Sequence, residues 1–369
     1  MTSDKRLYSL DLLKTVAVIC ICALHFPWCG DIEFYPHMTA LGFIRRFFFG
    51  VNAFAMPLFV VVNGALLLNR PFDAKKHLKN TVMLFVQYIF WRAVSILTIA
   101  AYNGFDFASV NLTTWVNVLL LLNDFPAVNV NHLWFIPMLI SIYVWFPILK
   151  AAFDRMDADK NGIWLFFPFM GVIAVFAFLF EDIALISPVV PLLDAAKIGG
   201  WQLFLPLSGT RYSSMLFYFL MGGLIVKYKD KLDTVSSGVC VVGAAVGVVL
   251  LYLEWRLNSS YSGETYDNIF LSCDNLPCLL LTVCVFVLGL RCEGFLRKRS
   301  GLCSLLKTVG SNTMSVYYFH WILISTVFEV FHVTDGLFFN LLKASALTAV
   351  SVLISLVFKK IPVLRRLVH

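Results

Sequence analysis

Ten apolar runs dominate this chain, each about as long as the roughly 20 residues a helix needs to cross a bilayer's hydrocarbon core. They fall near 10–29, 47–69, 82–102, 133–153, 163–180, 212–228, 237–254, 271–290, 311–331 and 338–358. The runs 163–180 and 212–228 are short for a span, and 113–122 is too short to cross, so it reads as an outer-face or re-entrant helix. The expected fold is all-α: a polytopic membrane helical bundle of about ten transmembrane helices, one domain over residues 1–369. Composition agrees. Only 14% of residues are charged and 60% are hydrophobic, whereas a soluble domain carries about a quarter charged residues.

Ten spans place both termini on one side, and the charge of the loops says which. Alternate connections hold Lys5 and Arg6; Arg70, Lys75, Lys76 and Lys79; Lys150, Arg155 and Lys160; Lys227, Lys229 and Lys231; Arg291, Arg297, Lys298, Arg299 and Lys307; and Lys359, Lys360, Arg365 and Arg366. The other loops hold only Arg45, Arg46, Lys197, Arg211, Arg256 and Lys343. By the positive-inside rule the termini are cytoplasmic. The net charge of +7 then measures topology and affinity for anionic lipid headgroups. It does not signal nucleic acid, since no basic stripe interleaves with stacking aromatics. The 9 cysteines show neither zinc-ligand spacing nor a secreted disulfide framework. Cys29 and Cys273 fall near one predicted face, either as a pair or as buried thiols acting as small apolar groups. The opening apolar stretch carries Asp11 and Lys14 and lacks a small-residue cleavage site, so it reads as a retained span. The outer loops 103–132, 181–211 and 255–271 bring Trp115, Asp124, Trp201 and Asp267 to a face from which they can cover a site.

Ionisable groups inside a bilayer cost several kcal/mol unless they line a cavity or find partners. On the first span Asp11, Lys14 and His25 point within roughly 60° of one another, at about 100° per residue. They form one polar stripe, which must face protein or water. Pro27 cannot donate to the carbonyl of Ala23, so the helix kinks or ends just beyond the histidine. A histidine there, with an unperturbed pKa near 6.5, suits general-base work on a hydroxyl; a structural histidine bonded to a neighbouring helix is the other reading. Lys14 fits a boundary lysine as well as an anion site, or an ion pair with Asp11. Arg92, deep in the third span, needs an acid or an anionic ligand. His320 and Tyr317 add polar groups to the ninth span, and His132 beside Trp134 stands at the outer mouth of the fourth. Aromatic rings next to hydrogen-bonding groups hold sugars, and they also anchor spans at the interface. No hydrolase nucleophile elbow, P-loop or metalloprotease pair occurs, and no metal site is expected.

Leu10-Asp11-Leu12-Leu13-Lys14, ten residues, then His25 resembles the hallmark of the acyltransferase-3 type of integral-membrane acyltransferases, whose members O-acylate bacterial surface glycans. That family normally has arginine where this chain has Lys14, which keeps the charge and loses the planar fork. Further stretches match in order: Met56-Pro57-Leu58-Phe59 through Asn63-Gly64, His132-Leu133-Trp134-Phe135 with Tyr143 and Pro147, Tyr218 to Gly223, and Tyr317 to His320. The resemblance covers about residues 5 to 358. It implies a bacterial inner-membrane O-acyltransferase using cytoplasmic acyl-CoA, most often acetyl-CoA, as co-substrate with no tightly bound cofactor. The acceptor is a glycan or lipid-linked saccharide. His25, Lys14 and Asp11 are then the catalytic candidates, Arg92, Lys75 and Lys76 the donor-binding ones, and His132, Trp134, Tyr317 and His320 the acceptor-binding ones. The rival function is a translocator of a glycan intermediate or small anion, without bond chemistry.

Overall fold

The computed structural model describes residues 6–26, 51–120, 125, 128, 130–156, 160–186, 210–262, 273–328 and 337–368. Pro27, Cys29, Arg45, Arg46, Asp124, Lys197, Trp201 and Asp267 lie outside them. Among the described residues the chain is helical, with no strand beyond an isolated bridge between Phe125 and Val128. Each of the ten apolar runs is occupied by helix. Six helical stretches are long and apolar enough to cross a membrane: Ala74–Tyr102, His132–Arg155, Phe166–Ile183, Ser237–Leu257, Leu276–Arg297 and Phe338–Phe358. Ala55–Leu68 is a shorter apolar helix. The short run after residue 112 forms a nine-residue helix, Leu112–Leu120.

The chain divides into two compact units. The first comprises Met1–Arg70, Lys150–Ser311 and Thr334–Ser345. Its helices are α1 (Tyr8–Leu24) and α2 (Ala55–Leu68), then, beyond the second unit's α3–α5, α6 (Lys160–Ala174), α7 (Phe180–Ile186), α8 (Thr210–Lys227), α9 (Lys229–Leu232), α10 (Ser237–Ser262), α11 (Leu276–Arg291), α12 (Glu293–Arg297) and α13 (Ser300–Gly310). A π-helical turn, Val175–Leu179, joins α6 to α7. α2 packs along α8, α10 along α11, and α1 lies against α2, α11 and α13. Glycines permit the α2–α8 seam. A Cβ on Gly64 would stand 1.8 Å from the Phe219 carbonyl oxygen, and one on Gly222 would stand 1.9 Å from that of Val61. Without hydrophobic drive in lipid, helices associate through such close packing. At the ends of these helices, long basic side chains satisfy carbonyls that helix termini leave open. Lys227 Nζ donates to the Phe153 carbonyl at 2.9 Å, and the Arg291 guanidinium donates to Ser237 Oγ and to the carbonyls of Leu232 and Val235.

The second unit comprises Pro71–Leu149, Asn312–Val333 and Ala346–His369. It contains α3 (Ala74–Tyr102), α4 (Leu112–Leu120), most of α5 (Phe135–Arg155), α14 (Thr313–Leu323) with a π-helical turn at Ile324–Phe328, the larger part of α15 (Leu337–Phe358), and α16 (Pro362–Arg365). α3 starts well before the apolar run because Asp73 caps it, its carboxylate accepting the Lys76 N–H at 3.0 Å. Pro147 sits inside α5 and has no N–H for the carbonyl of Tyr143 four residues back. His77 Nε2 takes that carbonyl instead, at 2.8 Å, with its ring stacked on Phe146. A proline that would break the ladder is thus accommodated by one side chain from α3.

Candidate active site

α1 carries the first group of candidates. Its N-cap, Leu7, offers no side-chain cap; the open Ser9 N–H donates instead to Glu293 on α12 at 2.8 Å, which places a carboxylate at the helix's positive end. Asp11 is buried and accepts two bonds from the Arg6 guanidinium, at 2.6 and 2.9 Å. Arg6 also donates to Ser311 Oγ at 2.7 Å, and its own carbonyl accepts from Arg297. Asp11 therefore ties the entrance of α1 to α13, and its ion pair is with Arg6.

Lys14, one turn further on, is half-buried and makes no hydrogen bond or ion pair among the described residues. The charges acting on its ammonium are those of Asp11, Arg6 and Arg70. Asp11 is already bonded twice to Arg6, which leaves the lysine ammonium open to an anion. His25 is the C-cap of α1, with φ −99° and ψ −2°; its N–H donates to the Cys22 carbonyl at 3.2 Å, and the Phe26 N–H donates to that of Ala23. The helix ends at Leu24, before the histidine and not just beyond it as the sequence suggested; Pro27 itself lies outside the described residues. His25 lies eleven positions after Lys14, about 16 Å along the axis at 1.5 Å per residue. The stripe is thus a cation near one end of the helix and an imidazole at the other.

The second unit holds the remaining candidates. Arg92, 4% exposed, donates through Nε to the Val118 carbonyl near the end of α4 at 3.0 Å. Lys75 and Lys76 are exposed in the first turn of the same helix, about 25 Å from Arg92 along the axis, so the three do not meet at one point. Tyr317 and His320 on α14 come together with His132. The Tyr317 hydroxyl donates to the His132 carbonyl, and the two imidazole rings lie edge to face, 5.4 Å between centroids. Trp321 stacks on His132 at 5.2 Å. His320 is fully buried and its Nδ1 lies 2.6 Å from the Tyr317 carbonyl. In a neutral ring that bond puts the proton on Nδ1 and leaves Nε2 as the basic nitrogen. Trp134 ends the 3-10 turn Asn131–Trp134 and meets the edge of Phe135.

Sequence reasoning missed Arg6, which it counted only among the loop cations, and Trp321, to which it gave no role. The helical offset of Trp321 from Tyr317, four residues, was the available sign that both share a face. Among the described residues no group of three or more His, Cys, Asp or Glu is arranged to hold a metal.

The family model of the acyltransferase domain, acyltransferase-3 type, matches residues 7–360. The chain belongs to the acyltransferase-3 family. All the candidates from Asp11 to His320 lie inside the matched stretch. Comparison with curated proteins and with solved structures gave no match. Membership makes the chain a membrane acyltransferase; the stripe on α1 carries its catalytic candidates and the α14 cluster its acceptor-binding ones.

Proposed function

We propose that the chain is an O-acyltransferase that crosses the bacterial inner membrane ten times with cytoplasmic termini. It moves an acyl group, acetyl foremost, from cytoplasmic acyl-CoA to a hydroxyl of a glycan or lipid-linked saccharide. One observation carries the reading: in a chain of this family, a half-buried lysine without a bonded partner among the described residues shares a helix face with a histidine at the helix C-cap.

In this reading the His25 imidazole accepts the acceptor hydroxyl's proton as the oxygen attacks the thioester carbonyl, so that a C–O bond forms and negative charge gathers on the carbonyl oxygen. Lys14, about 16 Å from His25 along the helix, holds a phosphate of the donor. Collapse breaks the C–S bond, and the departing thiolate takes its proton from the imidazolium. His25 can also carry the acyl group itself, as an acyl-imidazole that the hydroxyl then attacks. Lys75 and Lys76 hold phosphates of the donor in this scheme, Arg92 steadies negative charge about 25 Å away along α3, and His132, Trp134, Tyr317 and His320 receive the sugar.

The test is acetyl transfer by purified wild-type and His25→Ala protein. Loss of a general base costs on the order of 10²–10⁴ in rate. A variant as active as the wild type removes His25 from the chemistry. A wild type that moves glycan across vesicles without ever transferring an acyl group favours the translocator.

A further inference from the structure

The segment after α15 is held by a clasp of buried donors. Three consecutive backbone carbonyls, those of Arg366, Leu367 and Val368, each accept from a different side chain: Gln87 Nε2 at 2.8 Å, Trp91 Nε1 at 2.7 Å and Ser315 Oγ at 2.8 Å. Gln87, Trp91, Ser315 and Val368 are all buried. The clasp is braced behind, since Tyr318 Oη donates to Gln87 Oε1 at 3.4 Å and Ser355 Oγ lies 2.8 Å from Ser315 Oγ and 2.7 Å from Asn312 Oδ1. Lys359 Nζ donates to the same Asn312 oxygen at 2.8 Å. Between Lys359 and Val368 the backbone reverses through bonds from Ile361 N to the Phe358 carbonyl and from Arg365 N to that of Ile361. An ordinary polybasic tail spreads its charges in water, but this one has a fixed course.

The fixed course holds cations together. Lys359, Lys360, Arg365 and Arg366 stand within eight residues, and no Asp or Glu occurs after Asp335. Lys360, Arg365 and Arg366 make no ion pair among the described residues. Burial and the nearby Arg365 charge both push the Lys359 ammonium below its ordinary pKa, the sign of like charges kept close. Beside them Ile361 is 44% and Val363 74% exposed. The membrane-length stretch Phe338–Phe358 ends one residue before Lys359. Cations with exposed apolar neighbours, directly at the end of a span, stand at headgroup depth whichever way the chain is oriented.

We propose that residues 359–368 form a rigid strap that binds the phosphate of an anionic membrane lipid, with Lys360, Arg365 and Arg366 as its ligands and the Gln87–Trp91–Ser315 clasp as the device that holds them in place. The proposal stands apart from the acyl-transfer reading, because its readout is binding. Titration of the detergent-purified full chain with short-chain phosphatidylglycerol, followed by native mass spectrometry, measures it. Combined Lys360→Gln, Arg365→Gln and Arg366→Gln removes the charge and keeps the backbone carbonyls. It should weaken binding on the order of 100-fold, at the worth of each basic residue near an anionic surface. Ser315→Ala keeps all the charge and loosens the clasp, and should weaken binding about tenfold through lost pre-organisation. Wild-type affinity in the charge variant overturns the site, and wild-type affinity in Ser315→Ala overturns the clasp's part in it. Saturation by CoA with no response to phosphatidylglycerol overturns the lipid assignment.

Discussion

Gly64→Ala tests the packing on which the first unit rests. The new Cβ would sit 1.8 Å from the Phe219 carbonyl oxygen, where ordinary contact begins at 3.4 Å. The obstacle is helix backbone and not the flexible end of a side chain, so relief requires α2 and α8 to part. Val61 and Gly222 meet in the same way on the other side of the seam, so parting the helices at one point strains the other. A gap of 0.5–1 Å forfeits about a quarter to a half of each dispersion contact. Val61 and Phe219, whose carbonyls stand in the two close approaches, are both buried. Overpacking a yielding core costs about 1–3 kcal/mol; with an unyielding carbonyl and several contacts thinned at once, we expect about 3–5 kcal/mol. Lipid cannot fill a slit of that width, and no hydrophobic term drives the helices back together. The assay is unfolding of the purified protein in detergent, by heat or by titrated denaturing surfactant, with Gly301→Ala as control. Nothing lies within 4 Å of a Cβ at Gly301 in α13, so that change should stabilise by about 0.5–1 kcal/mol through helix propensity alone. A Gly64→Ala protein within about 1 kcal/mol of wild type would refute the close-approach reasoning.

Two further outcomes concern α1. Asp11→Ala removes both bonds to Arg6 and should cost about 1–2 kcal/mol, reduced from the value of a buried charged bond because the Arg6 side chain is 41% exposed; unchanged unfolding in detergent would sink it. Lys14→Met should lower acetyl transfer at limiting acyl-CoA roughly 10- to 100-fold, the worth of a hydrogen bond to a charged group, while Lys14→Arg, the residue usual in the family, should keep most of the activity. Equal rates for Met and Arg would show that the charge is idle.

The fold was legible where single helices decide it. Among the described residues each apolar run holds helix, six helical stretches are long and apolar enough to cross a membrane, and the short run after residue 112 makes a nine-residue helix. Helix boundaries were less so. Asp73 starts α3 at Ala74, before the apolar pattern begins, because a cap acts on backbone donors and leaves no mark in hydropathy. In the candidate site, spacing on one helix placed Asp11, Lys14 and His25 on a common face, and Tyr317 and His320 were marked as polar groups on one span. What spacing does not hold is partnership between helices. Nothing in the order of residues says that Asp11 pairs with Arg6 rather than Lys14, or that Tyr317 reaches the His132 carbonyl. Those depend on which backbones approach, and approach is set by small residues such as Gly64 and Gly222 whose use is visible only in three dimensions.

The same limit applies to the basic loops. A positive-inside count treats each lysine and arginine alike, yet the structure divides them by task. Arg291 closes the turn before α10, Lys227 finishes α5, and Arg6 fastens α1 to α13, each meeting donors or acceptors that helix ends and turns leave open. Lys360, Arg365 and Arg366 make no ion pair among the described residues, although the backbone carrying them is tied down by three buried donors. A cation that caps a carbonyl has its use inside the protein. A cation whose backbone is anchored and whose side chain is left to the outside has its use in something that arrives. Charge-reversal at Arg291 or Arg6 should therefore disturb folding before it disturbs orientation. Reversal at Lys360, Arg365 and Arg366 should leave the fold intact and change what the chain holds at the membrane surface.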